Sequence, residues 1–355
     1  MTIQQIDPGL VPYQILNPEG NLVGEMPDLS AERLLYAYRY MQLARAFSNK
    51  IIALQRQGRA TTFGSLVGQE AATVGLAMPL QPQDWLATSY REIASLIVKG
   101  VPLSTLVYAF RGFTPSDWPA GSRCLPFQIV IGTQMLHAVG LAMAAKISGD
   151  PVVAMGVCGD GATSEGDFNE ALNFAGVYQA PVVLVVQNNG WAISVPRHKQ
   201  SAAPTLAARG AGFGVPSALV DGNDILAVYD TINKAVERAR SGQGPTLVEL
   251  LTYRIGAHTT ADDPTRYRDP AEVEAWKTKD PLVRFQKFLL QRDLLSEQQA
   301  QQIIDEVEEE INEAVRIAEA TPPMAPDSFF DYTFAELPQR LQAQREDLLR
   351  YVNRK

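Results

Sequence analysis

The stretch "VCGDGATSEGDFNE", residues 157–170, places an acid, Asp160, between two glycines at the end of an apolar run. Glycine turns behind such runs present backbone N–H groups and usually serve phosphate. An anion-binding turn that itself carries a carboxylate needs a positive charge in between. Three chemistries compete. Asp160 can simply cap a helix after a tight turn. It can be a phosphotransfer nucleophile, but that chemistry normally uses a second carboxylate two residues on, where this chain has Ala162. Or it can clamp a divalent cation against a phosphorylated ligand. Mg²⁺ prefers hard oxygens in an octahedron, a few from protein and the rest from phosphate and water. One Asp and one Asn amide oxygen would suffice, and Asn188-Asn189 closes the next apolar run. Asn-Asn is also a common turn dipeptide; the order GDG, helix, strand, NN is the informative pattern.

The surrounding elements predict how these residues meet. "PVVAMGVCG" and "APVVLVVQNN" have the nearly continuous apolar character of strands buried on both faces, "SEGDFNEALNFAGVYQ" between them reads as a helix, and "GPTLVELLTYRI" as a later strand. Alternating strands and helices imply an α/β fold, a parallel sheet with helices on both faces, whose ligands sit at the carboxyl ends of the strands. The turn at 159–161, "NNGW" at 188–191 and "RIGAH" at 254–258 all occupy such ends. Ser30 opens a helix that runs to Gln57, and helical spacing returns over 69–79, 91–110 and 134–148. The Gly-, Pro- and Ser-rich stretch 111–128 is a long loop of the kind that usually has a function. From about 271 the chain is a series of amphipathic helices, with Glu308–Glu310 on a solvated face. The division expected is an extended arm over 1–30, an α/β domain over 31–270 and a C-terminal helical extension over 271–355, packed on that domain or on a partner.

Composition narrows the classes. A chain of 355 residues, 46% hydrophobic, can bury a large core, and a formal net charge of −8 argues against non-specific nucleic-acid binding. Cys124 and Cys158 offer neither a disulfide framework nor metal-type spacing. The N-terminus lacks the basic and apolar regions of a signal peptide, and no run reaches the roughly 18 apolar residues of a membrane span. A cytoplasmic protein is expected.

The segment "GDGATSEGDFNEALNFAGVYQAPVVLVVQNNGWAIS" resembles the thiamine diphosphate motif, which begins GDG and ends NN. From about residue 30 onward the chain is similar to the alpha subunits of the decarboxylating component of 2-oxo acid dehydrogenase complexes. The likeness is carried by "GQEAA" (68–72), "SYRE" (89–92), "IGTQ" (131–134), "VDGND" (220–224), "GPTLVEL" (244–250), "YRIGAHTTADDPTRYR" (253–268) and "DPLVRFQKFL" (280–289).

The resemblance implies a thiamine diphosphate-binding fold. It implies Mg²⁺ held by Asp160, Asn189 and the carbonyl of Trp191, with Gly161 and Ala162 donating backbone N–H groups to the diphosphate. Tyr90, Arg91 and Arg254 correspond to residues at the phosphate end, and Ile131 to the position whose backbone touches the aminopyrimidine. His258, one of three histidines, corresponds to the active-site histidine, ordering the site and assisting acyl transfer. Tyr267 and Arg268 fall in a loop expected to contact a docking lipoyl domain. His137 and His198 carry no motif and are expected to be structural or at the rim. The implied reaction is oxidative decarboxylation of a 2-oxo acid with reductive acylation of a lipoyl group on the acyltransferase component. Pyruvate is the first substrate expected, a branched-chain 2-oxo acid the second and acetoin the third. No glutamate for activating the cofactor is evident, so the resemblance implies a beta subunit that supplies it in an alpha2-beta2 assembly. A further histidine that many relatives carry before "IGTQ" has no counterpart in "RGFTPSDWPAGSRC", where Asp117 and Trp118 stand. The competing classes are a non-catalytic assembly or regulatory subunit of the same fold and a phosphotransferase.

Overall fold

The apolar runs assemble as the sequence predicts, in a computed structural model that describes residues 11–113 and 118–354. The strands are β1 (Trp85–Ala87), β2 (Ala154–Gly159), β3 (Val182–Asn188), β4 (Trp191–Ala192), β5 (Val195–Pro196), β6 (Ser217–Asp221) and β7 (Thr246–Leu251). Five of them form a parallel sheet in the order β1-β2-β3-β7-β6, while β4 and β5 make a small antiparallel ribbon. The helices are α1 (Ala31–Arg56), α2 (Glu70–Gly75), α3 (Ile93–Val98), α4 (Leu103–Phe110), α5 (Thr133–Ser148), α6 (Gly166–Tyr178), α7 (Ile225–Arg240), α8 (Pro270–Lys277), α9 (Pro281–Gln291), α10 (Glu297–Ala320) and α11 (Gln339–Val352).

Successive residues of a strand point to opposite faces, and here each face has its own core. Met155, Val157, Val183, Val185, Val248 and Leu250 pack with side chains of α1, α2, α4, α7, α9 and α10. Their neighbours Ala154, Cys158, Val182, Leu184, Val186 and Leu247 pack instead under α5 and α6. Each fully buried aliphatic side chain contributes about 1.5–3 kcal/mol. The helices α9 and α10 thus share a core with the sheet and α1, whereas α11 buries no residue.

Local chemistry sets the element ends. Asp224 caps α7 by accepting from Leu226 N and Ala227 N, and Ser296 with Gln299 closes a capping box on α10. The stretch 69–79 is helical from Glu70 to Gly75, and turns carry the chain on to Pro79. The stretch 91–110 is two helices, parted at Gly100 with φ +89° and restarted behind Pro102. The helix expected from Ser164 starts at Gly166, and a single 3₁₀ turn, Asp160–Ser164, precedes it.

The connections locate the site. The connections from β1 to β2 and from β2 to β3 place α5 and α6 on one face. The crossover from β6 to β7 runs the other way across the sheet and places α7 on the opposite face. The segments that follow β1, β2 and β3 meet at the carboxyl edge of the sheet, joined there by the chain beyond β7, and ligands of such sheets sit at that edge.

Candidate functional site

A cavity of about 730 Å³ opens at this edge, and its wall includes Tyr90, Arg91, Ile131, Asp160, Asn189 and His258. Gly161, Ala162 and Trp191 line it too. Of the residues singled out in the sequence, Arg254, Tyr267 and Arg268 stand outside that wall. His137 and His198 are exposed, and Asp117 lies outside the described residues. Trp118 braces its own loop, donating from Nε1 to Cys124 O at 2.8 Å.

Asp160 ends β2 with only 2% of its surface exposed. Burial raises its pKa, opposed by a hydrogen bond from Gln200, backbone N–H groups and the charge of Arg254. Gln200 Nε2 donates to its Oδ2 at 2.9 Å. A buried carboxylate with so little compensation is a site waiting for positive charge. Glycine at 161 is needed for packing: a Cβ there would lie 2.8 Å from that of Ala192, so β4 could not rest on the turn.

The two asparagines divide their labour. Asn188 accepts from Gly190 N at 3.0 Å and donates to Glu249 at 2.7 Å, which makes it structural. Asn189 reaches the cavity. Its Oδ1 accepts from Trp191 N at 3.3 Å and its Nδ2 donates to Gln69 Oε1 at 3.2 Å. Asp160, Asn189 and the Trp191 carbonyl are hard oxygen donors. Among the described residues no group of three or more His, Cys, Asp or Glu could hold a metal by itself. Such a donor set suits Mg²⁺ that keeps other ligands from phosphate and water, and the residues present fit that cation.

The positive side is built from Arg91 and Arg254. Arg91 donates to Ser65 O at 2.6 Å and to His258 O at 3.0 Å, and Nη2 lies 3.4 Å from His258 Nδ1. Arg254 is fully buried, donating to Trp191 O at 3.3 Å, Ile193 O at 2.6 Å and the Tyr267 hydroxyl at 3.0 Å, with Nη1 3.1 Å from His258 Nδ1. Facing two guanidinium groups, Nδ1 can only accept, so the neutral ring carries its proton on Nε2. Burial, Arg91 and Arg254 lower the His258 pKa to about 4, with Asp262 opposing. Asp262 accepts from His258 N at 2.7 Å and from Tyr267. Arg268, 8% exposed, spends its guanidinium on Arg254 O and on Ile255 O. It braces the strand end from behind.

This arrangement makes a pH prediction. The folded pKa of His258 lies below its unfolded value, so the folded chain takes up the proton less readily. The stability held by the neutral ring is present above about pH 6.5 and lost as pH falls towards 4. Compared with His258→Gln, the wild-type chain is expected to lose about 1–2 kcal/mol more between these pH values, the ring being partly solvated. Parallel denaturation curves would reject this assignment of charge.

Several residues at the site escaped the sequence reading. Gln69 lies in "GQEAA" and Glu92 in "SYRE", motifs already noted, but nothing in their spacing shows that they turn inward. Glu92 lines the cavity, and burial pushes its pKa up to about 7 against the charge of Arg91. Gln200 carries no sequence signal at all.

Comparison with known proteins agrees with the geometry. The chain is 44% identical over 350 residues to the 3-methyl-2-oxobutanoate dehydrogenase subunit alpha of Mycobacterium tuberculosis, covering 96% of this chain and 94% of that one. It is 41% identical over 337 residues to the pyruvate dehydrogenase E1 component subunit alpha of Staphylococcus aureus, covering 94% and 91%. The family model of the dehydrogenase E1 component matches residues 38–327, a span that holds the whole cavity wall and every strand of the sheet. With oxygen donors, guanidinium pair and histidine converging inside that span, the chain belongs to the dehydrogenase E1 component family.

Proposed function

We propose that this chain is the alpha subunit of a thiamine diphosphate- and Mg²⁺-dependent 2-oxo acid dehydrogenase that oxidatively decarboxylates its substrate and passes the acyl group to a lipoyl group of an acyltransferase. The observation that carries the reading is the pairing of Asp160, Asn189 and Trp191 O with Arg91 and His258 around one cavity at the carboxyl edge of the sheet. Asp160, Asn189 and Trp191 O would hold the cation, and Arg91 with the N–H groups of Gly161 and Ala162 the diphosphate. Arg254 acts one step back, fixing His258 and the Trp191 carbonyl. When bound, thiamine diphosphate would supply a nucleophilic thiazolium carbon for the carbonyl carbon of the 2-oxo acid and a ring nitrogen to accept the electron pair left by carbon dioxide.

His258 presents an Nε2–H donor at neutral pH, suited to stabilise developing negative charge or to hand on a proton. Arg91 paired with a diphosphate would set less positive charge against Nδ1, and the His258 pKa would rise. Tyr90 packs edge-on to His258 at 6.3 Å between ring centres and restricts its rotation. The rim Ile129, Val130 and Ile131 is 75%, 66% and 39% exposed beside the cavity mouth, an apolar edge of the kind a second subunit covers. This supports a site completed by a beta subunit that brings the activating glutamate.

Pyruvate is the first substrate under this reading, as in the name of the Staphylococcus relative. A second, 3-methyl-2-oxobutanoate, is favoured by the name of the Mycobacterium relative and by the apolar wall of Phe110, Phe127, Ile129 and Val130. The test is carbon dioxide release from a panel of 2-oxo acids by the chain alone and by the chain assembled with its beta subunit. Activity is expected only in the assembly. Two extra carbons favour the branched acid by about tenfold in kcat/KM if the apolar wall receives them, at about 0.8 kcal/mol each. Turnover by the isolated chain refutes the shared site, and inactivity of the assembly on every 2-oxo acid refutes the function.

A further inference from the structure

At the cavity floor Asn189 belongs to a cluster of buried carboxamides, whose other members, Gln69 and Gln187, have no part in the chemistry above. Gln69 is 0% exposed, and its Oε1 accepts from Asn189 Nδ2 at 3.2 Å and from Gln187 Nε2 at 2.7 Å. All three side chains are buried, yet Gln69 Nε2 and Gln187 Oε1 have no hydrogen-bond partner. Buried polar atoms are rarely left unpaired, so an arrangement that tolerates two of them calls for a reason.

The direction of each amide can be derived. If all three were turned over together, Gln69 would donate where it now accepts and the contacts among the three would survive. The backbone breaks this symmetry. Trp191 N–H lies 3.3 Å from Asn189 Oδ1 and can only donate, so the oxygen of Asn189 must be on that side and its nitrogen on the other. The nitrogen then requires an acceptor, which among the described residues Gln69 supplies. Gln187 shares the same oxygen and so must present its own nitrogen. Gln69 is itself immobilised. Gly68 before it has φ +96°, and a Cβ there would stand 2.5 Å from Tyr253 O, so the backbone of this turn is pressed against the strand end leading to Arg254. Thr252 Oγ1 donates to Gly68 O at 2.8 Å and ties the two segments together.

We propose that Gln69 is a positioning residue of the cation site. Its carboxamide oxygen grips the nitrogen of Asn189 and so keeps the Asn189 oxygen turned to the side where the Trp191 backbone and the cation lie. This rests on the assignment of Asn189 as a cation ligand. It goes beyond that assignment by naming the group that selects the oxygen and excludes the nitrogen, which cannot bind a metal. A partner that orients a ligand typically changes metal affinity by 10–100-fold.

The test is Mn²⁺ binding, read from the loss of the free-ion paramagnetic resonance signal, in the chain assembled with its beta subunit and saturated with thiamine diphosphate. Gln69→Met keeps the length and removes the acceptor; Mn²⁺ is expected to bind at least tenfold more weakly. Gln69→Glu keeps an acceptor oxygen and is expected to stay within threefold of wild type. In an Asn189→Ala background, Gln69→Met is expected to add nothing, because the side chain it orients is gone. Wild-type affinity in Gln69→Met, an equal loss in Gln69→Glu, or additive losses in the double variant would each overturn the inference. Should Gln69→Met not fold, Gln69→Glu still decides by keeping or losing its affinity. Undiminished Mn²⁺ binding by Asn189→Ala alone would instead overturn the cation site, and this inference with it.

Discussion

Asp160→Asn is expected to melt above the wild-type chain and at the same time to lose Mg²⁺-dependent binding of thiamine diphosphate. The two effects have one origin. Asp160 is held almost wholly out of water with a single side-chain donor, Gln200, and burial raises its pKa. Asparagine mimics the protonated acid, the form that burial favours, and removes the desolvation cost. The new carboxamide can keep its oxygen toward Gln200 Nε2, which also donates to Val195 O at 3.1 Å, so neither bond of Gln200 is lost. A gain of about 1 kcal/mol follows, which for a chain of this size moves the melting temperature by about 2 °C. The same change removes the only carboxylate among the proposed cation ligands. Calorimetric titration of thiamine diphosphate with and without Mg²⁺ is expected to show the metal dependence reduced at least a hundredfold, since a charged ligand is lost and not merely its support. A variant that melts lower, or that still binds in a metal-dependent way, would show that Asp160 is a structural cap.

Arg254→Lys, nominally conservative, is expected to damage the protein more than any other exchange of like charge. The planar fork of Arg254 serves two backbone carbonyls, a hydroxyl and the ring of His258 at once. A lysine ammonium is a point charge and cannot span these positions. The carbonyl of Ile193 is the most sensitive of them. Ile193 has φ +55°, a left-handed conformation that β-branched residues avoid, and the 2.6 Å bond from Arg254 holds it there. Losing that bond and burying an ill-paired ammonium together cost about 3 kcal/mol. Urea denaturation should register this cost, and limited proteolysis should cut first near the β4–β5 ribbon. With His258 no longer held through Nδ1, turnover in the assembled enzyme is expected to fall at least a hundredfold. A loss below 1 kcal/mol with normal turnover would reject the bracing role.

The parts of this molecule that could be read from its sequence are those dictated by local rules. The parallel sheet follows from the apolar runs, and the meeting of "GDG" with "NNGW" from one strand–helix–strand unit. Which asparagine faces the cavity does not follow, because Asn188 is turned away by Glu249 on a strand that is distant in sequence. Gln69 lies in a quoted motif, but its function depends on residues 118 and 120 positions away. The helix ends at Gly75 and Val98 are blurred by apolar spacing that continues past them. Arg268 lies in a segment rich in charge and threonine, where outward-facing contacts are the natural expectation. It is buried because two carbonyls at a strand end needed donors.

The N-terminal arm has a consequence for the order in which the molecule is made. Ile15 N and Leu16 N both donate to Asp224 Oδ2, at 2.7 and 2.6 Å, and Leu16 O accepts from Arg284, 268 residues further along. The arm is therefore synthesised before its partners and finds them only when α7 and α9 have followed. Until then Ile15 and Leu16, both fully buried at the end, travel as an exposed apolar segment on the nascent chain. The arm, translated before α7 and α9, thus docks only after them, and a bulky group placed just ahead of Ile15 burdens that step.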